Sequence, residues 1–159
     1  MKLHIDIQTA TTEAVPDEDD IRRWIGAALS GRREQETEIS LRLVDREEMA
    51  ALNRDYRGRR GATNVLSFPA ELPSELALPL LGDIVICAPV VRDEATQQGK
   101  TLAAHWAHMT IHGTLHLLGY DHVADAEAAL MEQLETDILA ALDYPCPYRG
   151  GTPKEQASA

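Results

Sequence analysis

His112 and His116 stand four residues apart in the stretch His112-Gly113-Thr114-Leu115-His116-Leu117-Leu118-Gly119-Tyr120-Asp121-His122. On a helix this spacing stacks both imidazoles on one face, about 6 Å apart along the axis. Both can then reach one ion at the roughly 2.0–2.1 Å of a Zn–N bond. Gly119 lacks a Cβ and can take the left-handed conformation that ends a helix. The chain turns back there, and His122 can supply a third nitrogen. Three neutral ligands leave a tetrahedral ion with an open fourth position, as in hydrolytic rather than structural zinc. The expectation is one zinc ion per chain, held by His112, His116 and His122.

The same ligand spacing occurs in the metzincin proteases, where a Glu directly after the first His is the general base. Gly113 holds that place here and has no side chain to carry a proton. The ligand geometry is kept while the peptidase's base is missing, which demotes a protease. His105 and His108 share the helical stripe of His112 and His116. His108 would lie about 12 Å from His116 along a straight helix, so it is read as a group behind the ligands or lining the substrate site. His105 is read as helix surface, and His4 as a strand residue without a role.

A second set of chemically capable residues is Asn53-Arg54-Asp55-Tyr56-Arg57-Gly58-Arg59-Arg60. Four arginines facing one aspartate suit an anion-facing patch, although Arg54 alone reads as a solvated helix-end cation favoured by the helix dipole. The formal net charge of −11 argues against a general nucleic-acid coat. Any contact with a polyanion must therefore be local. Cys87 and Cys146 lack metal-ligand spacing and read as free thiols in a reducing compartment. No apolar run approaches the ~20 residues of a membrane span, and the amino terminus lacks the apolar core of a signal peptide. The expected location is the cytoplasm, with no membrane partner.

These groups must be positioned by a fold of 159 residues, a length that suits one domain. Alternation of Leu3, Ile5 and Ile7 predicts a first strand, and Ile39, Leu41 and Leu43 a second. Between them, Ile21, Trp24, Ile25, Ala28 and Leu29 recur at helical spacing, with Trp24 expected in the core. Asp45 with Glu48 forms a capping pair for a second helix lined by Met49, Leu52 and Tyr56. Thr63 to Phe68 and Gly82 to Cys87 read as further strands, joined by an irregular connection over residues 70–81. Pro89 starts a third helix. Thr101 to Leu118 is apolar nearly all round, the pattern of a buried central helix, and it carries the histidines. Asp125 caps a last amphipathic helix with Leu130, Leu134, Ile138 and Leu142 on its apolar face. From Tyr144 onward the composition suggests a frayed tail. The fold class is α+β: a single domain with a small four-stranded mixed sheet and about five surrounding helices.

The histidine run resembles the signature of the YbeY family, bacterial endoribonucleases that mature ribosomal RNA. The resemblance extends to Leu52-Asn53-Arg54-Asp55-Tyr56-Arg57-Gly58, to Thr63-Asn64-Val65-Leu66-Ser67-Phe68-Pro69 and to Gly82-Asp83-Ile84. It covers residues 1–148, leaving 149–159 as a flexible tail. It implies a single-strand-specific, metal-dependent endoribonuclease acting on the 3′ end of 16S ribosomal RNA, in ribosome biogenesis and ribosome quality control. The implied partners are ribosomal RNA, the small ribosomal subunit and ribosomal or ribosome-assembly proteins. Carried over by position, His112, His116 and His122 look like the zinc ligands, and Arg57 like the family's required arginine near the metal.

Phosphodiester cleavage suits these residue types. Zinc held by three histidines lowers the pKa of its water towards neutrality and polarises a phosphoryl oxygen. Arg57 can fork two N–H donors onto phosphate oxygens. The nucleophile is either the metal-activated water or the RNA 2′-OH. Asp121 and His108 are candidate proton carriers, Asp121 being also suited to a simple turn role. Ser67 reads as a strand residue beside the cleft, since no base is recognisable next to it, and Asp83 as structural. Two other readings use the same ligands: a metal-dependent hydrolase of another substrate, including peptide, and a non-catalytic ribosome-assembly factor stabilised by zinc.

Overall fold

A computed structural model describes residues 2–76, 78–121 and 123–148. His122 and the expected tail, residues 149–159, lie outside the described residues. The elements follow in the order β1 (Leu3–Ala10), α1 (Glu18–Leu29), β2 (Thr37–Val44), α2 (Arg46–Arg57), β3 (Val65–Pro69), β4 (Leu80–Cys87), α3 (Ala88–Gln98), α4 (Leu102–Leu117) and α5 (Asp125–Ala141). A short 3₁₀ turn at Ser74–Leu76 interrupts the connection between β3 and β4.

The strands form one mixed sheet in the order β1-β2-β4-β3. β1, β2 and β4 run parallel, and β3 joins β4 antiparallel as an edge strand. Alternation along the strands divides the apolar side chains between two faces. Ile39, Leu41, Leu43, Val65, Ile84 and Ile86 point to one face and pack with α1, α4 and α5. Leu66, Val85 and Cys87 point to the other, where Met49 of α2 covers them. Trp24 is in the larger core, as its helical spacing predicts.

α4 is the central helix, buried from Ala104 through Ile111 and again at Gly113, Thr114, Leu115 and Leu117. Thr101 caps its start by accepting from the Ala104 N–H at 3.1 Å. Its end follows the glycine rule. Gly119 has φ +104°, its N–H reaches the His116 carbonyl at 3.0 Å, and the Tyr120 N–H reaches Leu115 at 3.1 Å. These two bonds satisfy carbonyls that the helix end would leave unpaired.

Three local expectations are corrected. Asp45 precedes α2 without a side-chain capping bond; it accepts from Thr11, and Glu48 forms a two-pronged pair with Arg42 at 2.5 and 2.9 Å. A partner from outside the helix outcompetes the local box in each case. The buried face of α5 is Met131, Glu135, Ile138 and Leu139, whereas Leu130 is exposed. Apolar residues surround enough of this helix that periodicity alone does not fix its rotation. The segment after α5 is docked at Tyr144, whose ring meets Trp24 edge-on at 6.4 Å, and at Tyr148, described below.

Candidate metal centre and cleft

His112 and His116 lie on one face of α4 with ring centroids 4.7 Å apart. Both line a cleft of about 770 Å³ that also receives Arg57, Arg59, Ser67 and Asp121. One wall is the edge strand β3 and its approach, the floor is α4, and the arginines enter from the end of α2. Thus the structure brings every described candidate residue to one cleft.

The arginine wall is held by its own loop chemistry. Gly58 ends α2 in the left-handed conformation, φ +64°. Buried Asn53 donates from Nδ2 to the Gly61 carbonyl at 2.9 Å, pinning the loop that follows. Arg57 is exposed at the last position of α2 and, among the described residues, makes no hydrogen bond or ion pair. Its fork is available to an anion. Arg54 instead pairs at 3.3 Å with Asp55 on the solvent side.

Behind the histidines lies a carboxylate that periodicity does not reveal. Glu135 of α5 is 1% exposed. An ionised carboxylate only accepts, so the ring nitrogens facing it donate: His108 Nε2 at 2.5 Å and His112 Nδ1 at 2.8 Å. The Tyr148 hydroxyl donates to the same carboxylate at 2.5 Å and sits 3.3 Å from His108 Nε2. Burial alone would push the Glu135 carboxyl up, but the hydrogen bonds from His108 and His112 outweigh it and hold it well below the usual carboxylate range. Burial lowers the pKa of His108 despite its bond to Glu135. Burial also raises Tyr148, reinforced by Glu135, so the phenol remains an O–H donor.

The donor set fits a metal ion. With Nδ1 of His112 donating to Glu135, Nε2 is the nitrogen whose lone pair can ligate, the tautomer that metal-binding histidines usually take. His116 stands beside it on the cleft. His108, His112 and Glu135 themselves present ligand atoms within 4.8 Å of one another. Two ligands on one ion at Zn–N distances sit about 3.3 Å apart, further than the 2.5 and 2.8 Å contacts to Glu135. Those contacts are hydrogen bonds to Glu135, and the rings of His112 and His116 stand together on the cleft, which His108 also lines.

Two expectations change here. His105 is not helix surface: it is 2% exposed and meets Glu94 Oε1 at 2.9 Å through Nε2. A partner from α3 permits a polar ring in the core. Gly113 also has a positive reason to be glycine. A Cβ there would approach Ile84 Cγ2 at 3.0 Å, with Ser67 Oγ and Val65 Cγ2 at 3.3 Å. α4 meets the sheet at this point, so the place of a peptidase's glutamate is filled by packing. Ser67 donates to the Gly113 carbonyl at 3.0 Å, tying β3 to α4. Asp83 lines a hollow with Tyr56 and Phe68 that lacks the histidines.

The sequence pattern of the family described as Endoribonuclease YbeY matches residues 4–143. The chain belongs to this family. It is 55% identical over 153 residues to an Endoribonuclease YbeY of Stutzerimonas stutzeri, covering 96% of this chain and 95% of that protein. It is 54% identical over 155 residues to one of Xanthomonas oryzae, covering 94% and 96%. The solution structure of TM1509 from Thermotoga maritima has the same fold, with TM-score 0.58 and 21% identity over 87% of this chain and 91% of that one.

Glu135 and Tyr148 were missed from sequence, as was the use made of Glu94. The available signal for Glu135 was its place on the Met131–Ile138–Leu139 face of α5. Tyr148, beyond the last periodic segment, offered none.

Proposed function

We propose that this chain is a zinc-dependent, single-strand-specific endoribonuclease that matures the 3′ end of 16S ribosomal RNA in the cytoplasm and serves ribosome biogenesis and quality control. Its substrate partners are ribosomal RNA and the small ribosomal subunit, with ribosomal or assembly proteins alongside. The observation that carries the reading is the meeting of His112 and His116 with Arg57 and Arg59 around one cleft. His112, His116 and His122 would hold a divalent ion, which when bound would lower the pKa of a water and polarise a phosphoryl oxygen.

The protein's own groups supply the rest. Arg57 clamps the scissile phosphate through two parallel N–H donors and stabilises charge that develops on its oxygens. Arg59 adds a second cation for the neighbouring backbone. Asp121 lines the cleft, where its two readings are a turn residue and a proton carrier, whereas the Ser67 hydroxyl is committed to the Gly113 carbonyl and acts as a spacer. His108 lines the cleft and bonds Glu135, which supports its reading as a group beside the ligands rather than one of them.

Purified chain loaded with zinc should cleave a 16S precursor carrying a single-stranded 3′ extension. His116→Ala should abolish cleavage while leaving the circular dichroism spectrum unchanged. A folded His116→Ala protein that cleaves at the wild-type rate would overturn the assignment. Cleavage by neither protein, with ribosome assembly still supported, would favour a non-catalytic zinc-stabilised factor.

A further inference from the structure

Glu135 is a buried charge with three donors and no exposure to substrate. Removing a carboxylate from water costs several kcal/mol unless good hydrogen bonds replace the lost hydration. Here His108 and His112 of α4 and Tyr148 beyond α5 provide them. An apolar residue would fill the same place between Met131, Ile138 and Leu139 without needing that network. The carboxylate therefore does something that packing does not.

What it does is visible in its second oxygen. Oε2 takes the Nδ1–H of His112, whose ring also lines the cleft. Oε1 is held from the opposite side by His108 and Tyr148, so the carboxylate cannot rotate away. We propose that Glu135, braced by His108 and Tyr148, is the positioning residue of the metal centre, fixing His112 in the tautomer and orientation that present Nε2 to the ion. This rests on the reading of His112, His116 and His122 as metal ligands. Tyr148 extends the device beyond α5, so the segment following the last helix is part of the centre's support.

The test measures zinc affinity of the full-length purified chain by competition with a chromophoric chelator, beside the absorption spectrum of the cobalt-substituted protein. Glu135→Ala should weaken zinc binding by ~10–100-fold, the usual cost of losing a bond behind a metal-ligating histidine. Glu135→Gln keeps an oxygen that can accept from His112, so it should lose less affinity than Glu135→Ala, although its amide N–H then faces the donors His108 and Tyr148 and the melting temperature without metal should fall. Both should alter the cobalt spectrum. Tyr148→Phe and His108→Ala should each weaken zinc less than Glu135→Ala. If Glu135 were only a structural charge, both Glu135 variants would keep wild-type affinity and cobalt spectrum, which overturns the proposal. If His108→Ala lost zinc as completely as His112→Ala, His108 and Glu135 would be direct ligands, again overturning it. The two readings separate at His116→Ala. Wild-type affinity there removes the metal centre itself, whereas loss there with intact affinity in the Glu135 variants removes only the positioning role.

Discussion

α4 carries two histidine–carboxylate pairs, and they have opposite fates. Near its amino end, His105 meets Glu94, which also accepts from Asn64 Nδ2 at 3.1 and 3.3 Å. Asn64 in turn accepts the Val65 N–H at 2.7 Å through its side chain and the Cys87 N–H at 2.9 Å through its carbonyl. That pair ties α3 and α4 to the start of β3; like His108 Nδ1, His105 Nδ1 is buried without a hydrogen-bond partner among the described residues. Further along, Glu135 anchors His108 and His112 in the same way, but the His112 side chain is 20% exposed and lines the cleft. The same pair of residue types is a brace where the ring is sealed on every side. It becomes a site where one edge of the ring opens onto solvent.

The largest expected effect tests that contrast directly. His112→Ala should reduce zinc affinity by more than ~100-fold, beyond the usual cost of losing a bond behind a ligand, and RNA cleavage should fall with it. His105→Ala should leave zinc affinity at the wild-type value and lower stability by about 1–3 kcal/mol, because Glu94 loses a partner in a half-buried position. Zinc titration and urea unfolding on both variants make the comparison. Loss of zinc from a folded His105→Ala protein would erase the distinction between the two pairs.

Next in size is Arg57, which faces only the open pair. Arg57→Ala should retain zinc and melting temperature but slow RNA cleavage by ~10²-fold or more, the scale of losing one preorganised electrostatic donor. Arg57→Lys should restore part of the rate, since charge returns without the fork. If Arg57 merely tied its loop to the body, activity would fall only in proportion to protein unfolded. An Arg57→Ala protein melting and cleaving like wild type would sink the clamp.

A smaller effect is expected where α4 touches the sheet between the two histidines. Gly113→Ala gains up to ~1 kcal/mol of helix propensity, but its Cβ meets Ile84 at 3.0 Å, and Ile84 is fully buried. Overpacking of this kind costs about 1–3 kcal/mol, so the net change should be a loss of roughly 1 kcal/mol. Because α4 must shift away from β3, zinc affinity should drop as well. A stabilised Gly113→Ala protein would show that the sheet yields more readily than its burial suggests.

Legibility from sequence followed the range of the interactions. The strands and helices were readable because alternation and helical spacing are local, and the His112–His116 pair with Gly119 is likewise contained in one short stretch. Arg57 was readable as a cation at a helix end. Glu135 was not, because a charged residue reads as solvent-facing unless its partners are known, and those partners lie on another helix and in the segment after α5. The same reason turned His105 from expected surface into core: Glu94, itself held by Asn64, reaches it from α3. Gly113 was read through chemistry it lacks, whereas contact with Ile84, Val65 and Ser67 explains it. Tyr148 follows a Pro-rich segment with no periodicity, so composition pointed to a tail where a hydrogen bond to buried Glu135 holds the chain.

The smallest effect concerns the closed pair and its response to acid. Burial raises the Glu94 carboxyl, but the bonds from His105 and Asn64, with the nearby charges of His105 and Lys100, bring it below its ordinary 4.5. A carboxyl whose folded value lies below its unfolded one stabilises the fold above the unfolded value, and that contribution is lost as pH falls through the folded value. Glu94→Gln preserves shape and removes the charge. At pH 7 it should cost about 1 kcal/mol, the scale of weakening charge-assisted bonds at a partly exposed site. The difference from wild type should shrink as the pH drops below 4.5 and vanish once Glu94 is protonated in the folded protein. Urea unfolding of metal-free protein across that range isolates the effect, since both proteins keep Glu135 and the cleft histidines. A difference that stayed constant with pH would mean that shape rather than charge holds the closed pair. The resemblance between the two histidine–carboxylate pairs would then be one of residue type only.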